Sequence, residues 1–188
     1  MKARNNPFAS ERIEALAYRF PPGDDWQKLL GRLETLGWRG ALVGPHGSGK
    51  TTVLTQLEPL LVARGFRPRR VTLRAPDRQT ERQQALASIA TMRAPDFIIL
   101  DGAEMLTTRQ WLSLQSAAAA CAGCLITQHR TGRLQTVLSC EVTPALLEEL
   151  VQELCEASLP EGEAARLFAR YHGNLRECFS DLYDRYAG

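Results

Sequence analysis

Between residues 44 and 51 the chain reads Gly44-Pro45-His46-Gly47-Ser48-Gly49-Lys50-Thr51, the pattern G-x-x-x-x-G-K-T. Each residue type answers a need of phosphate chemistry. Glycines let successive backbone N–H groups turn inward on phosphate oxygens, a lysine brings a cation to the β and γ oxygens, and the hydroxyl beside it can ligate Mg²⁺. Gly44, Pro45, His46, Gly47, Ser48, Gly49, Lys50, Thr51 and Thr52 are therefore the candidate phosphate-binding residues, and Mg-ATP or Mg-GTP is the ligand class. A second signal is Phe97-Ile98-Ile99-Leu100-Asp101, an apolar run that ends on a carboxylate. A strand buried on both faces reads this way, and its C-terminal end is the edge at which open α/β sheets bind ligands. Asp101 joins Thr51 as a candidate Mg²⁺ ligand.

Secondary elements must bring these residues together. Asp24 or Asp25 caps a helix with Trp26, Leu29, Leu30, Leu33 and Leu36 at helical spacing, ended by Gly37. Ala41 to Val43 is a short strand running into the glycine loop. From Lys50 a helix carries Val53, Leu54, Leu57, Leu60 and Leu61 to a stop at Gly65. A second strand is expected over Arg70 to Arg74, a polar helix over Gln79 to Met92, and a third strand over Phe97 to Leu100. Thr107 or Thr108 caps a helix to about Cys121, and further strands follow over Cys124 to Thr127 and Thr136 to Val142. Strands alternating with helices predict an α/β, three-layer fold with a five-stranded, mostly parallel sheet. From Pro144 the pattern is helical only: Pro144 to about Ala157, Gly162 to His172 and Asn174 to Tyr186. The expected division is a nucleotide-binding core with an N-terminal arm over 1–143 and a small helical lid over 144–188.

A chain of 188 residues with 44% hydrophobic and 23% charged residues has the balance of one folded domain. A net charge of +2 is too mild to imply a dedicated nucleic-acid binder, though it leaves nucleic acid open as a partner. The basic patch lies between Arg64 and Arg82 and reads either as solvated surface or as a partner contact. No apolar h-region or membrane-spanning run is visible, so a cytoplasmic location is expected. Five cysteines are an odd number and fit a reducing compartment. Cys121 and Cys124 form a C-x-x-C without a second ligand pair, which reads as small buried residues.

On Gly44 to Thr51, Asp101 to Leu106, Asn6-Pro7-Phe8 and Gly173-Asn174-Leu175-Arg176-Glu177, the chain resembles P-loop NTPases of the additional-strand class. Within that class it is similar to small ATPases of AAA+ type, related to those of secretion and transposition. The resemblance implies a Walker B carboxylate at Asp101. It implies a sensor-1 polar group at Thr127, Gln128 or His129 near the γ-phosphate, and a sensor-2 arginine at Arg176 that couples nucleotide state to the lid. A surface ion pair of Arg176 with Glu177 or Asp181 is the plainer alternative. The arm from Asn6 to Gly23 either lines the base pocket or packs on the sheet.

Two departures matter. The resemblance implies a water-activating Glu directly after Asp101, but Gly102 stands there and the nearest carboxylate is Glu104. Glu104 or Gln128 is then the candidate for positioning water. The link from His129 to Gln135 is too short for the helix that carries an arginine finger in this family, which leaves Arg130 or Arg133. The expected function is slow Mg-dependent ATP hydrolysis coupled to lid movement. A nucleotide-gated binding module acting on a protein partner through the lid or the Arg64 to Arg82 patch is the second reading. A small-molecule or nucleotide kinase is the third, weakened because such enzymes start with the phosphate loop near their N-terminus. ATP is favoured over GTP by the resemblance alone.

Overall fold

Five stretches pair into one sheet in the computed structural model of the chain, which describes residues 6–74, 79–155 and 158–187. They are β1 (Arg39–Val43), β2 (Arg67–Thr72), β3 (Asp96–Asp101), β4 (Gly123–Gln128) and β5 (Thr136–Ser139), in the order β2-β3-β4-β1-β5. Every pairing is parallel. Among the described residues the α-helices are α1 (Ser10–Glu14), α2 (Trp26–Thr35), α3 (Lys50–Val62), α4 (Gln79–Ala90), α5 (Thr108–Ala118), α6 (Pro144–Cys155), α7 (Glu163–Arg170) and α8 (Leu175–Ala187).

Successive strand residues face opposite sides of the sheet, and this alternation builds the layers. Leu42, Phe97, Ile99 and Leu125 pack with Leu29 and Leu33 of α2 and Leu54, Leu57 and Leu61 of α3. On the other face Ala41, Ile98, Leu100 and Ile126 pack with Ile89 of α4 and Leu114 and Ala118 of α5. Each fully buried large apolar side chain contributes about 1.5–3 kcal/mol. The three-layer α/β expectation therefore holds.

Local chemistry sets several boundaries. Asp25 caps α2 by accepting from Lys28 N at 2.8 Å. Thr107 and Gln110 form a reciprocal capping box that starts α5. β2 begins three residues before the expected Arg70 and ends at Thr72. Pro68 falls inside β2, which is tolerated because β2 is an edge strand, where a missing N–H costs no ladder bond. Arginine and proline along this edge also discourage pairing with another chain. β5 stops at Ser139, short of the expected Val142, because its partner β1 gives way to the glycine loop after Val43.

The helices after residue 144 form a core of their own, with Leu147, Val151, Leu167, Cys178 and Phe179 buried. Ala157, the expected end of α6, lies outside the described residues. Phe8 and Leu16 belong to this third core, so the first part of the arm packs on the C-terminal helices rather than on the sheet. Asn6 Nδ2 donates to Tyr183 O at 2.8 Å, and Arg12 donates to Leu154 O at 3.0 Å. Arg19 pairs with Glu149 at 2.9 Å and also with Glu153. The arm then crosses to α3, where Tyr18 N donates to Gln56 Oε1 at 3.0 Å and Gln56 Nε2 donates to Leu16 O at 2.9 Å. No helix among the described residues is long and apolar enough to cross a membrane.

Candidate functional site

β1 delivers the glycine loop to the C-terminal edge of the sheet, and Gly44 N is held there by Gln128 O of β4 at 3.2 Å. A side chain at Gly44 would meet Cys140 O at 2.5 Å and Ser48 Oγ at 2.6 Å, so the close approach admits only glycine. Gly47 and Gly49 have φ of 71° and 82°, the left-handed region that side chains avoid. The loop ends at the N-terminus of α3, a helix of 13 residues. Lys50 is buried, and its Nζ donates to Gly44 O and Pro45 O at 2.6 Å each. Burial lowers its pKa, partly offset by Cys140, Glu104 and Asp101. Thr52, at the start of the same helix, is half-buried.

Asp101 leaves the end of β3 and is held from two sides. Thr51 Oγ1 donates to its Oδ2 at 3.1 Å, and Thr127 Oγ1 donates to its Oδ1 at 2.7 Å. Thr127 Oγ1 in turn accepts from Gly102 N at 2.8 Å, locking the end of β4 to the turn after β3. Arg70 of β2 stands 3.6 Å from Asp101 Oδ2 and donates to Thr55 Oγ1 at 3.0 Å and Glu58 Oε1 at 3.2 Å. Its guanidinium thus ties the edge strand to α3 beside the two candidate metal ligands.

Glu104 lies in a 3-10 turn over Ala103–Met105 rather than in the following helix. Its Oε1 lies 3.1 Å from His129 Nε2. The His129 ring meets the loop's His46 edge-on, with centroids 3.8 Å apart. Gln128 is 3% exposed, and its side chain is turned into the protein. Among the described residues Ser48 Oγ, Glu104 Oε2 and Gln128 Nε2 are buried without hydrogen-bond partners, three orphaned polar atoms around one loop. Such atoms are rare in a closed interior and mark a place where a polar ligand or water belongs.

Arg133 is committed elsewhere: it donates to Leu106 O at 2.5 Å and stacks on the Trp111 ring at 5.2 Å. Arg130 is exposed in the link between β4 and β5, which contains no helix. Arg176 is exposed, and among the described residues its guanidinium makes no hydrogen bond or ion pair. The expected alternative, a pair with Glu177 or Asp181, is not formed: Asp181 accepts from Tyr171 Oη at 2.6 Å and pairs with Arg170 at 3.2 Å and with Arg185. Arg176 N is bonded to Asn174 Oδ1 at 3.2 Å, and the Asn174 side chain sits directly against Gly47, filling the space a Cβ there would take. The start of α8 therefore touches the loop.

Several of these relationships had no signal in the sequence. Asn174, Arg70 and the ring contact of His46 with His129 are set by chain crossings and not by spacing. Tyr18 is another: its ring lies 3.2 Å from where a Cβ on Gly49 would stand. Cys121 and Cys124 are buried free thiols, and burial pushes Cys124 up to about 12. Among the described residues no group of three or more His, Cys, Asp or Glu gathers as a metal site. Within the arginine patch Arg67 pairs with Asp96 at 2.5 Å and Arg70 is occupied as above, while Arg64, Arg67, Arg69 and Arg74 are exposed. Arg78 lies outside the described residues. In comparisons with known proteins, no family model matches the chain and no curated sequence is similar to it.

Proposed function

We propose that the protein binds a nucleoside triphosphate with Mg²⁺ over the 44–51 loop and hydrolyses it slowly, with the state of the site coupled to the helices after residue 144. The observation that carries this reading is the 3.1 Å approach of Thr51 Oγ1 to Asp101 Oδ2. The two residues meet because β1 and β3 end at the same sheet edge. A hydroxyl at a helix start and a strand-terminal carboxylate so close together fit the shell of one Mg²⁺, directly or through its waters. When bound, the ion neutralises charge on the β and γ oxygens.

The remaining parts support the same reading. The N-terminus of α3 and the inward glycine backbone suit phosphate oxygens. Lys50 rests on the loop's own carbonyls, from which its ammonium can turn to an anion. β4 lies between β1 and β3, so the loop after β1 and Asp101 after β3 flank its end at one sheet edge. Asn174 against Gly47 gives occupancy of the loop a direct route to α8, with Arg176 two residues on. ATP is favoured over GTP by the resemblance.

A second reading, a nucleotide-gated binding module with little hydrolysis, is favoured by the commitment of Arg133 to Leu106 and Trp111. With Arg133 committed, Arg130 is the remaining finger candidate on this chain, and turnover is slow unless it, or an arginine of a partner or second copy, reaches the γ-phosphate. Mg²⁺-dependent phosphate release from ATP and GTP, at several protein concentrations and with Lys50→Ala as control, tests both. Release that prefers ATP and vanishes in Lys50→Ala supports the enzyme. Tight binding without release supports the module, and release unchanged in Lys50→Ala refutes the site.

A further inference from the structure

We propose that His129 takes the proton from the attacking water, with the Glu104 carboxylate holding its imidazole and the loop's His46 packed against it; this deepens the nucleotide-hydrolysis reading and rests on it. Gly102, the residue after Asp101, has φ 95° and lies so close to Leu73 O that no side chain fits there. No proton acceptor can therefore stand directly after the acid. Glu104 is the next carboxylate, but its Oε1 is engaged by His129 and its Oε2 is buried without a partner among the described residues. It faces the imidazole and holds it.

With Nε2 facing the Glu104 carboxylate at 3.1 Å, a neutral His129 keeps its proton on Nε2, where the carboxylate attracts it, and its lone pair on Nδ1, the proton-accepting atom of the ring. The two residues before it anchor its position: Thr127 is bonded to Asp101 and Gly102, and Gln128 O accepts from Gly44 N. The contact with His46 then sets the ring beside the phosphate loop. The charged or titratable groups that act on it are Glu104 on the turn, His46 on the loop and Lys50 at the start of α3. Burial, His46 and Lys50 together outweigh the attraction of Glu104, so the imidazole is held below its ordinary value of 6.5 and is neutral at pH 7. A carboxylate that orients an imidazole and stabilises its cation is a recurrent way to build a base.

The step balances as follows. The water oxygen forms a bond to the γ-phosphorus, and the bond from that phosphorus to the bridging oxygen breaks. The bridging oxygen keeps the electron pair and leaves with the nucleoside diphosphate. The water proton goes to His129 Nδ1 while the Nε2 proton stays on the ring facing Glu104, and the imidazolium then releases one proton to solvent as inorganic phosphate leaves.

The test uses the full chain with Mg-ATP, following phosphate release across pH 5.5–8.5 alongside equilibrium binding of a fluorescent ATP analogue. His129→Ala and His129→Gln are expected to bind the analogue as the native chain does, with kcat reduced about 10²–10⁴-fold. Added imidazole restores turnover in His129→Ala, which a merely structural residue would not allow. Glu104→Gln is expected to lower kcat less and to move its acid limb to lower pH, because the carboxylate that favours the imidazolium is gone. Native kcat in His129→Ala, or a loss that imidazole never restores while Glu104→Gln abolishes turnover, overturns the proposal. Mg-dependent binding without phosphate release in the native chain also overturns it but leaves the nucleotide site standing, whereas absent binding removes both.

Discussion

Thr127 holds Asp101 from the far side of the site: its hydroxyl donates to Asp101 Oδ1 at 2.7 Å and accepts from Gly102 N at 2.8 Å. At 1% exposure this is an interior contact, and it leaves Oδ2 to face Thr51. Thr127→Val preserves the shape while removing both bonds, so it is expected to cost about 1–3 kcal/mol in an unpaired carboxylate oxygen and N–H. Loss of such an orienting partner lowers metal affinity by about 10–100-fold. Mg²⁺ titrations of phosphate release should show the midpoint shifted upward in Thr127→Val and largely restored in Thr127→Ser. An unchanged midpoint in the valine variant would mean that Asp101 needs no such support.

Gly102 answers to backbone geometry. Gly102→Ala would require a side chain at φ 95° and would press on Leu73 O, which lies in the segment bonded to Asp101 O through Leu73 N at 2.8 Å. We expect a loss of about 1–3 kcal/mol in urea unfolding. Equal stability of the two chains would show that the turn after β3 can relax.

The protonation of His129 has a stability consequence with a definite sign. Its folded pKa is depressed by burial, so below the ordinary value of 6.5 the unfolded chain binds the proton more readily than the folded one. Stability is therefore lost as pH falls through 6.5 toward the folded value. Urea midpoints measured at pH 7.5 and 5.5 should fall less in His129→Gln than in the native chain. Identical slopes would assign the acid sensitivity to other groups.

The arm should matter as packing. Phe8 is 2% exposed and contacts the rings of Phe179 and Tyr186 at centroid distances of 6.2 and 5.2 Å. Phe8→Ala is expected to cost about 3–5 kcal/mol. Amide exchange should show the loss spreading through α6 and α8. If instead only residues near position 8 lose protection, the arm is an ornament on the surface.

The sheet and the loop were legible because their signals are local. A glycine pattern encodes a backbone shape, and the run Phe97 to Leu100 has to be interior. Capping was readable to within one residue, as Asp24 or Asp25 and Thr107 or Thr108, since the partners are within one turn, and Asp25 and Thr107 are the caps that form. β2 was displaced by about three residues because its Arg-rich run has no apolar alternation to mark its ends, and its edge position accommodates Pro68. The site was legible only by half. Lys50, Thr51 and Asp101 stand out by residue type and the structure brings Thr51 and Asp101 together, whereas the orientation of Glu104 toward His129, and of Asn174 toward Gly47, arises where separate loops cross. No spacing rule encodes such crossings.

The shared core of Phe8, Leu16 and the last three helices also sets an order of assembly during synthesis. Phe8 and Phe179 are among the first and last described residues to leave a ribosome, yet they bury one another. The sheet from β1 to β5 has all its partners once residue 139 has emerged. Until α8 follows, the arm's aromatic residue lacks the Phe179 and Tyr186 rings that pack on it, which leaves apolar surface open to chaperones and neighbouring nascent chains. A chain truncated before α8 should thus betray itself by aggregation through the uncovered Phe8.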